Sequence, residues 1–288
     1  MSGSASSAVN ELGGSEKLRA EIAGIVGSRH EAAWIVEDAL AGAQPAPIDA
    51  ARDMARRRAA GEPLQHILGH WSFRTLDVIV DDRALVPRPE TEMVAGVAID
   101  EARRLTMAAR PAVPLVIADL GTGSGVIACS LAAELGDSVT IHATDVSPDA
   151  LALARENVRR NLEGSDRHRV RLGIGSWFDG LPAELAGAVA LIVSNPPYLS
   201  ASEWPLLPPV VRDHDPYGAL VAGPDGTEAI FHLLDESARW LTPAGAIVLE
   251  IAPHQAHASL ERACSLAFSA SEVLDDLAGR PRVLVARR

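Results

Sequence analysis

A chain of 288 residues with a formal charge of -12 at pH 7 and a single lysine, Lys17, lacks the clustered cations that grip a phosphate backbone. Two cysteines far apart, Cys129 and Cys264, make no disulfide framework, and apolar runs of strand length leave no transmembrane helix to expect. These bulk properties agree with a soluble cytoplasmic enzyme, long enough to bury about three quarters of its unfolded surface in one large domain with a small one beside it.

The chain opens with a Ser- and Ala-rich stretch that has neither a basic head nor a long apolar core, so a disordered tail over residues 1–14 is expected rather than a signal peptide. Three amphipathic patterns follow, at 15–26, 29–40 and 48–60, separated by Gly27-Ser28 and by the segment from Gly42 to Pro47. They predict a helical domain over 15–62. The run Arg56-Arg57-Arg58 in its third helix reads as a solvated face in preference to a contact with an RNA-like or acidic partner. After Gly61 the pattern shortens to alternating segments at 64–68 and 76–80, which suggest a hairpin in a linker over 63–86.

From Pro87 to the end, strands and helices alternate. Strands are expected near 115–119, 139–144, 169–173, 189–194, 246–251, 271–276 and 282–286, which makes 87–288 a doubly wound α/β sheet whose ligand lies at the strands' carboxyl ends. Only residues 277–281 separate the last two strands, too few for a helical crossover, so these two are expected to pair antiparallel. No internal repeat is visible.

Two segments carry chemistry. In the first, Val116-Ile117-Ala118 runs through Asp119-Leu120-Gly121-Thr122-Gly123-Ser124-Gly125 into the helical pattern of 126–135. A strand, a glycine-rich turn and a helix in that order form a nucleotide-binding opening, because glycines allow close approach to the backbone and a helix start presents free N–H groups. The spacing is Gly-x-Gly-x-Gly, without the third glycine where a dinucleotide fingerprint has it. Asp145 ends the next strand about 20 residues later, where a carboxylate can accept both hydroxyls of a ribose and disfavours a ribose phosphate. A helix-capping role for Asp145 is already filled by Ser147, which precedes Pro148.

The second segment is Asn195-Pro196-Pro197-Tyr198, at the end of the apolar run 189–193. Two prolines stiffen the turn and remove two donors, leaving carbonyls free to face a ligand. The Asn195 side-chain oxygen and a proline carbonyl can together accept both hydrogens of a planar NH2 group, with Tyr198 offering a flat face beside it. Other clusters are weaker: Glu62, His66 and His70 are interrupted by Pro63 and strand patterning, and His254 with His257 has no third ligand nearby, so no metal site is expected. No Ser-His-Asp or Cys-His arrangement emerges, and Cys129 reads as a buried thiol.

Taken together with Glu62 to Gly69, Val86 to Glu92, Gly175-Ser176-Trp177-Phe178 and Ala219 to Gly223, in this order and over nearly the whole chain, these segments resemble the S-adenosylmethionine-dependent methyltransferases that modify the glutamine side chain of peptide-chain release factors. The resemblance implies a seven-stranded Rossmann-like sheet with a small N-terminal helical domain. It also implies methylation of the glutamine amide nitrogen in a Gly-Gly-Gln motif, with an effect on translation termination. S-adenosylmethionine would be held by Asp119, Gly121, Thr122, Gly123, Ser124, Gly125, Asp145, Trp177 and Asn195, with Trp177 lining the adenine site. The glutamine would be held by Asn195, Pro196, Pro197 and Tyr198, of which Asn195, Pro196 and Tyr198 serve catalysis. The helical domain would position the release factor, with no membrane or nucleic-acid partner. One departure stands out, Asp215-Pro216 where the family usually has Glu-Pro. The main rival is adenine amino-group methylation of DNA or RNA, which also uses Asn-Pro-Pro-Tyr but needs a surface for the phosphate backbone that this acidic chain lacks. A non-catalytic nucleotide-binding subunit is a further alternative, disfavoured by the intact Asn195 to Tyr198.

Overall fold

The computed structural model describes residues 3–42, 46–109 and 113–288, the side chains of 3–13 and 109 excepted. Two compact units form, Met1–His70 with Pro208–His214, and Trp71–Leu207 with Asp215–Arg288.

In the first unit, α1 (Gly3–Val26), α2 (Arg29–Ala41) and α3 (Pro47–Ala59) bury Ile22, Ile35, Val36 and the small Ala32, Ala39, Ala51 and Ala55. Alanine at so many inward positions lets the helices approach closely, and Ser28 starts α2 by accepting from the Glu31 amide at 3.3 Å. The backbone of α1 is assigned from Gly3, so part of the segment read as a tail falls within it. The arginine run is consumed inside the unit: Arg58 Nε donates to Glu31 at 2.8 Å, Arg57 Nε to Glu62 at 2.8 Å, and Arg56 lies 3.5 Å from Asp53. A solvated, internally paired face is what this leaves.

Residues 64–68, expected as a hairpin strand, are instead a short helix, α4 (Leu64–Leu68). Pro63 enters it where a missing N–H is harmless, Leu64 and Ile67 are buried at i,i+3 spacing, and Gly69 closes it with φ +74°. The hairpin lies later, as β1 (His70–Phe73) and β2 (Leu76–Ile79).

The second unit continues through α5 (Pro89–Ala109), β3 (Leu115–Leu120), α6 (Val126–Leu135), β4 (Val139–Asp145), α7 (Pro148–Asn161), α8 (Ser165–Arg169), β5 (Val170–Ile174), β6 (Val189–Ser194) and β7 (Leu199–Ser200). Then come α9 (Pro209–Arg212), which clusters with the first unit, α10 (Tyr217–Leu220), β8 (Val221–Gly223), α11 (Glu228–Trp240), β9 (Leu241–Glu250), α12 (Ala256–Ser265), β10 (Ala270–Asp275) and β11 (Pro281–Arg287). Seven of the strands form one sheet in the order β10-β11-β9-β6-β3-β4-β5. It is parallel from β9 to β5, while β11 runs antiparallel to both β9 and β10, as the short 277–281 connection requires.

Both faces are covered, one by a core including Val94, Ile99, Leu131 and Ile141, the other by Leu120, Ile192, Ile230, Leu234 and Leu249. Burial on two faces explains why 189–193 is continuously apolar rather than alternating. The small parallel pair β7 and β8 was not legible in advance. Among the described residues no helix is long and apolar enough to cross a membrane.

Candidate active site

The carboxyl ends of β3, β4, β5 and β6 open into one pocket, which is where a doubly wound sheet places its ligand. After β3 the chain turns sharply through Gly121, Gly123 and Gly125, at φ +71°, +54° and +81°, a region that favours glycine. The amides of Gly121 and Thr122 both donate to the Thr144 carbonyl of β4 at 2.9 Å, and Gly125 N closes back on Thr122 O at 2.8 Å. Gly125 has a second constraint, since a Cβ there would lie 3.0 Å from that of Ala154 in α7.

Beneath the turn sits Asp119, wholly buried. Its Oδ2 accepts from Thr122 Oγ1 at 2.6 Å and from Ala128 N at 3.1 Å, while its Oδ1 has no hydrogen-bond partner. Burial pushes its pKa up to about 7, the neighbouring Asp145 adding to the rise and the Thr122 and Ala128 bonds opposing it. The α6 start therefore keeps fewer free N–H groups than its sequence suggests, because Ala128 N is spent on Asp119 and Gly123 N donates to Asp145 Oδ2 at 2.9 Å. Asp145 Oδ1 accepts in turn from Ser147 N at 2.9 Å, and Ser147 caps α7 by accepting from Ala150 N at 3.2 Å. Each Asp145 oxygen retains a lone pair for a ligand hydroxyl.

Trp177 lies across from the turn, close enough that a Cβ on Gly121 would meet its ring at 3.3 Å. Its own φ of +48° is unusual for a bulky residue and is held by Thr144 Oγ1, which donates to the Trp177 carbonyl at 3.2 Å. Asn157, a fully buried residue of α7, ties this side together: its Oδ1 accepts from Ile79 N at 2.6 Å and its Nδ2 donates to Ser124 O at 2.9 Å. Sequence reasoning missed Asn157, although a polar residue among the apolar positions Ala150, Leu153, Ala154 and Val158 was a usable signal.

On the other side, Asn195 follows β6, whose end is pinned by Ser194 Oγ donating to Leu120 O at 2.6 Å. Asn195 Nδ2 donates to Thr91 Oγ1 at 3.1 Å, and Thr91 Oγ1 donates to Glu250 Oε2 at 2.8 Å. Glu250 ends β9 and is buried, which pushes its pKa up to about 7 against the opposing Thr91 bond and the cations Arg282 and Arg88. Thr91 and Glu250 were likewise missed. Thr91 sits inside the quoted Val86 to Glu92 segment, but the position of Glu250 reads as ordinary strand terminus until the register is known.

Of the expected site residues, Gly121, Thr122, Ser124, Asp145, Trp177, Asn195 and Pro197 line the pocket. Asp119, Gly123, Gly125, Pro196 and Tyr198 do not. Tyr198 packs against the second core, its hydroxyl pushed up to about 12 by burial, and its carbonyl accepts from Gln255 Nε2 at 2.8 Å. The Asp215 departure finds a role in the pocket wall. Its carboxylate, almost fully buried, accepts from Arg88 Nη2 at 2.6 Å and from Val86 N at 3.4 Å, so the shorter acid still reaches the arginine. Cys129 is buried with its thiol pushed up to about 12, and no group of three or more metal-ligating residues occurs among the described residues.

The description "methyltransferase small domain" matches residues 92–205. The release factor glutamine methyltransferase of Rhodopirellula baltica is 41% identical over 234 residues, 81% of this chain and 76% of its own, and that of Streptomyces coelicolor is 45% identical over 203 residues, 70% and 67% respectively. The chain belongs to the release factor glutamine methyltransferase family. Among solved structures, the hMettl16 catalytic domain in complex with a MAT2A 3'UTR hairpin superposes with a TM-score of 0.55 at 16% identity over 81% of each chain, a likeness of fold alone.

A methyltransferase of this family implies S-adenosylmethionine, and the residues fit it. A Cβ at Gly121 would crowd the Trp177 ring at 3.3 Å, a buried acceptor oxygen of Asp119 is left without a partner, and the Asp145 carboxylate is fixed by two amides with lone pairs to spare.

Proposed function

We propose that this enzyme transfers a methyl group from S-adenosylmethionine to the side-chain amide nitrogen of the glutamine in the Gly-Gly-Gln motif of peptide-chain release factors, and so modulates translation termination. The observation that carries the reading is that Asp145 and the glycine turn share a single pocket with Asn195 and Pro197. The cofactor supplies a methyl carbon already activated by a sulfonium centre. The protein's part is to align a poor nucleophile, since an amide lone pair is delocalised into its carbonyl. Asn195 Oδ1 accepts one of the two amide hydrogens and a carbonyl of the proline turn that follows it accepts the other, fixing the nitrogen and favouring positive charge as it develops there. Alignment at near-attack distance contributes several kcal/mol. The methylated amide cation is acidic, so no strong general base is required.

On the cofactor side, Asp145 binds the ribose hydroxyls, Trp177 the adenine, and the glycine turn, held from beneath by Asp119, the remainder. The helical unit of α1 to α3 carries no nucleotide-binding feature and serves to position the protein substrate.

The test is transfer of labelled methyl from S-adenosylmethionine to purified release factor, to release factor with its Gly-Gly-Gln glutamine replaced by alanine, and to DNA and RNA. Label on the intact factor alone is expected. Label that persists in the alanine variant, or appears on nucleic acid and not on the factor, would overturn the assignment.

A further inference from the structure

Nothing in the reaction as described explains why Asn195 turns its oxygen, rather than its NH2, toward the acceptor nitrogen. We infer that Thr91 and Glu250 are positioning residues that impose this choice, through a one-way chain of hydrogen bonds running from Asn195 to the end of β9. The inference rests on the proposed amide-methylating role of Asn195.

Register brings the three groups together. β6 and β9 are parallel neighbours with Ser194 opposite Leu249, so the next residues along the chain, Asn195 just past β6 and Glu250 at the end of β9, stand at the same level. Thr91, in the first turn of α5 and nearly fully buried, bridges them at 3.1 Å and 2.8 Å.

The direction of the chain follows from the chemistry of its end. An ionised carboxylate can only accept, so the single hydroxyl hydrogen of Thr91 must point to Glu250. The Thr91 oxygen then offers only lone pairs to Asn195, and only the NH2 end of Asn195 can meet them. Its carbonyl oxygen is left facing the pocket as an acceptor. Thr91 is the buried link, bonded on both sides, so the Asn195 amide cannot turn over without breaking its one bond, to a hydroxyl in a low-dielectric setting.

Protonation of Glu250 removes the constraint, because a neutral carboxyl can donate to Thr91 and free the hydroxyl hydrogen for the Asn195 oxygen. The amide can then present its NH2 to an acceptor that also carries NH2, and the two repel. The groups facing Glu250 besides Thr91 are Arg282 of β11, Arg88 just ahead of α5, Glu90 in its first turn, and Tyr198 after β6. The arginines favour the ionised form, whereas burial and Glu90 oppose it, with the balance at about 7. The orienting chain is thus intact above neutrality and loosens below it.

The experiment compares wild type with Glu250→Gln, Thr91→Val and Thr91→Ser. Steady-state methyl transfer to release factor at pH 8 is expected to fall in kcat by roughly 10- to 100-fold for Glu250→Gln and Thr91→Val, less than for loss of the acceptor itself. KM for S-adenosylmethionine is expected to stay within about twofold, as neither Thr91 nor Glu250 is among the residues proposed to hold it. The acidic limb of kcat, with a midpoint near 7 in wild type, is expected to vanish in Glu250→Gln and to survive in Thr91→Ser, which keeps the hydroxyl and most of the rate.

A second readout does not depend on the substrate. In 15N-labelled enzyme, the side-chain NH2 resonance of Asn195, identified by its absence in Asn195→Asp, is expected to shift with pH around the same midpoint and to lose that dependence in Glu250→Gln. If the release factor is not a substrate, this arm still decides the orienting role. An Asn195 resonance indifferent to Glu250→Gln refutes the inference. So does a folded Glu250→Gln enzyme with wild-type kcat and an unchanged acidic limb, or parallel loss of melting temperature, cofactor binding and rate in both Glu250→Gln and Thr91→Val, which marks a purely structural role.

Discussion

Asp119 holds a charge where the protein can least accommodate one, and replacing it with asparagine is expected to change how stability depends on pH. Its pKa is about 7 in the folded chain, against about 3.9 for an aspartate in an unfolded one. Between these values the folded state binds the extra proton, so the group's contribution to stability falls as pH rises from about 4 and levels off above about 7. Integrating proton binding from pH 5 to pH 8 gives a loss of roughly 2 to 3 kcal/mol in wild type that Asp119→Asn does not share. The variant keeps an oxygen for Thr122 Oγ1 and Ala128 N but buries an NH2 group in place of the unpartnered Oδ1. That penalty is independent of pH and cancels in the comparison, as does the titration of Glu250, present in both proteins. The assay is urea denaturation of wild type and variant at pH 5, 6, 7 and 8 without cofactor. The stability difference is expected to move in favour of the variant by that amount over the range. Parallel curves would mean that Asp119 titrates as an ordinary surface acid, and the argument from its burial would be wrong.

Asp145→Ala is expected to weaken binding of S-adenosylmethionine by about 1.5 to 3 kcal/mol, the usual effect of losing a hydrogen bond to a charged group, and calorimetry showing unchanged affinity would remove the ribose assignment. Asn195→Ala is expected to slow single-turnover methyl transfer about a hundredfold to a thousandfold at saturating cofactor while leaving cofactor affinity nearly unchanged; transfer at the wild-type rate would make the Asn195 turn structural only. Gly125→Ala places a side chain at φ +81° and within 3.2 Å of the Ala154 Cα, so a loss of about 1 to 3 kcal/mol in thermal unfolding is expected, and a neutral result would show that the turn can relax away from α7.

Much of the fold could be read from the chain because two-sided burial writes an unambiguous pattern. The runs at 115–120, 139–145 and 189–194 are short, rich in β-branched and apolar residues and followed by turn residues, and all three are inner strands of the sheet. The error at 64–68 has a specific origin: five residues are too few to separate helical from alternating spacing, and the deciding features were Pro63 and Gly69 at the two ends. At the site, the residues visible in advance were those whose type is dictated locally, such as the glycines of the turn and the prolines after Asn195. The roles of Thr91, Asn157, Asp215 and Glu250 were not legible because their partners stand 33 to 159 positions away, across elements whose packing alone brings them together.

The arrangement of the two buried acids around β6 bears on how the enzyme responds to pH. Asp119 is the penultimate residue of β3 and Glu250 the last of β9, the strands on either side of β6, and each accepts from one threonine hydroxyl, at 2.6 Å from Thr122 and 2.8 Å from Thr91. Burial pushes both to about 7, but their electrostatic neighbours differ: Asp119 feels Asp145, whereas Glu250 feels Arg282, Glu90 and Arg88. With a strand between them and separate partners, they are expected to titrate independently rather than as a coupled pair. One lies under the proposed cofactor contacts and the other behind the proposed acceptor contact. Acidification through neutrality therefore acts on affinity and on rate over the same pH range by two separable routes. Asp119→Asn is expected to flatten the pH dependence of cofactor affinity and spare that of kcat, and Glu250→Gln to do the reverse. If either substitution flattened both profiles, the two carboxyls would have to communicate through Asn195 and β6, and the division of the pocket into two independent halves would not hold.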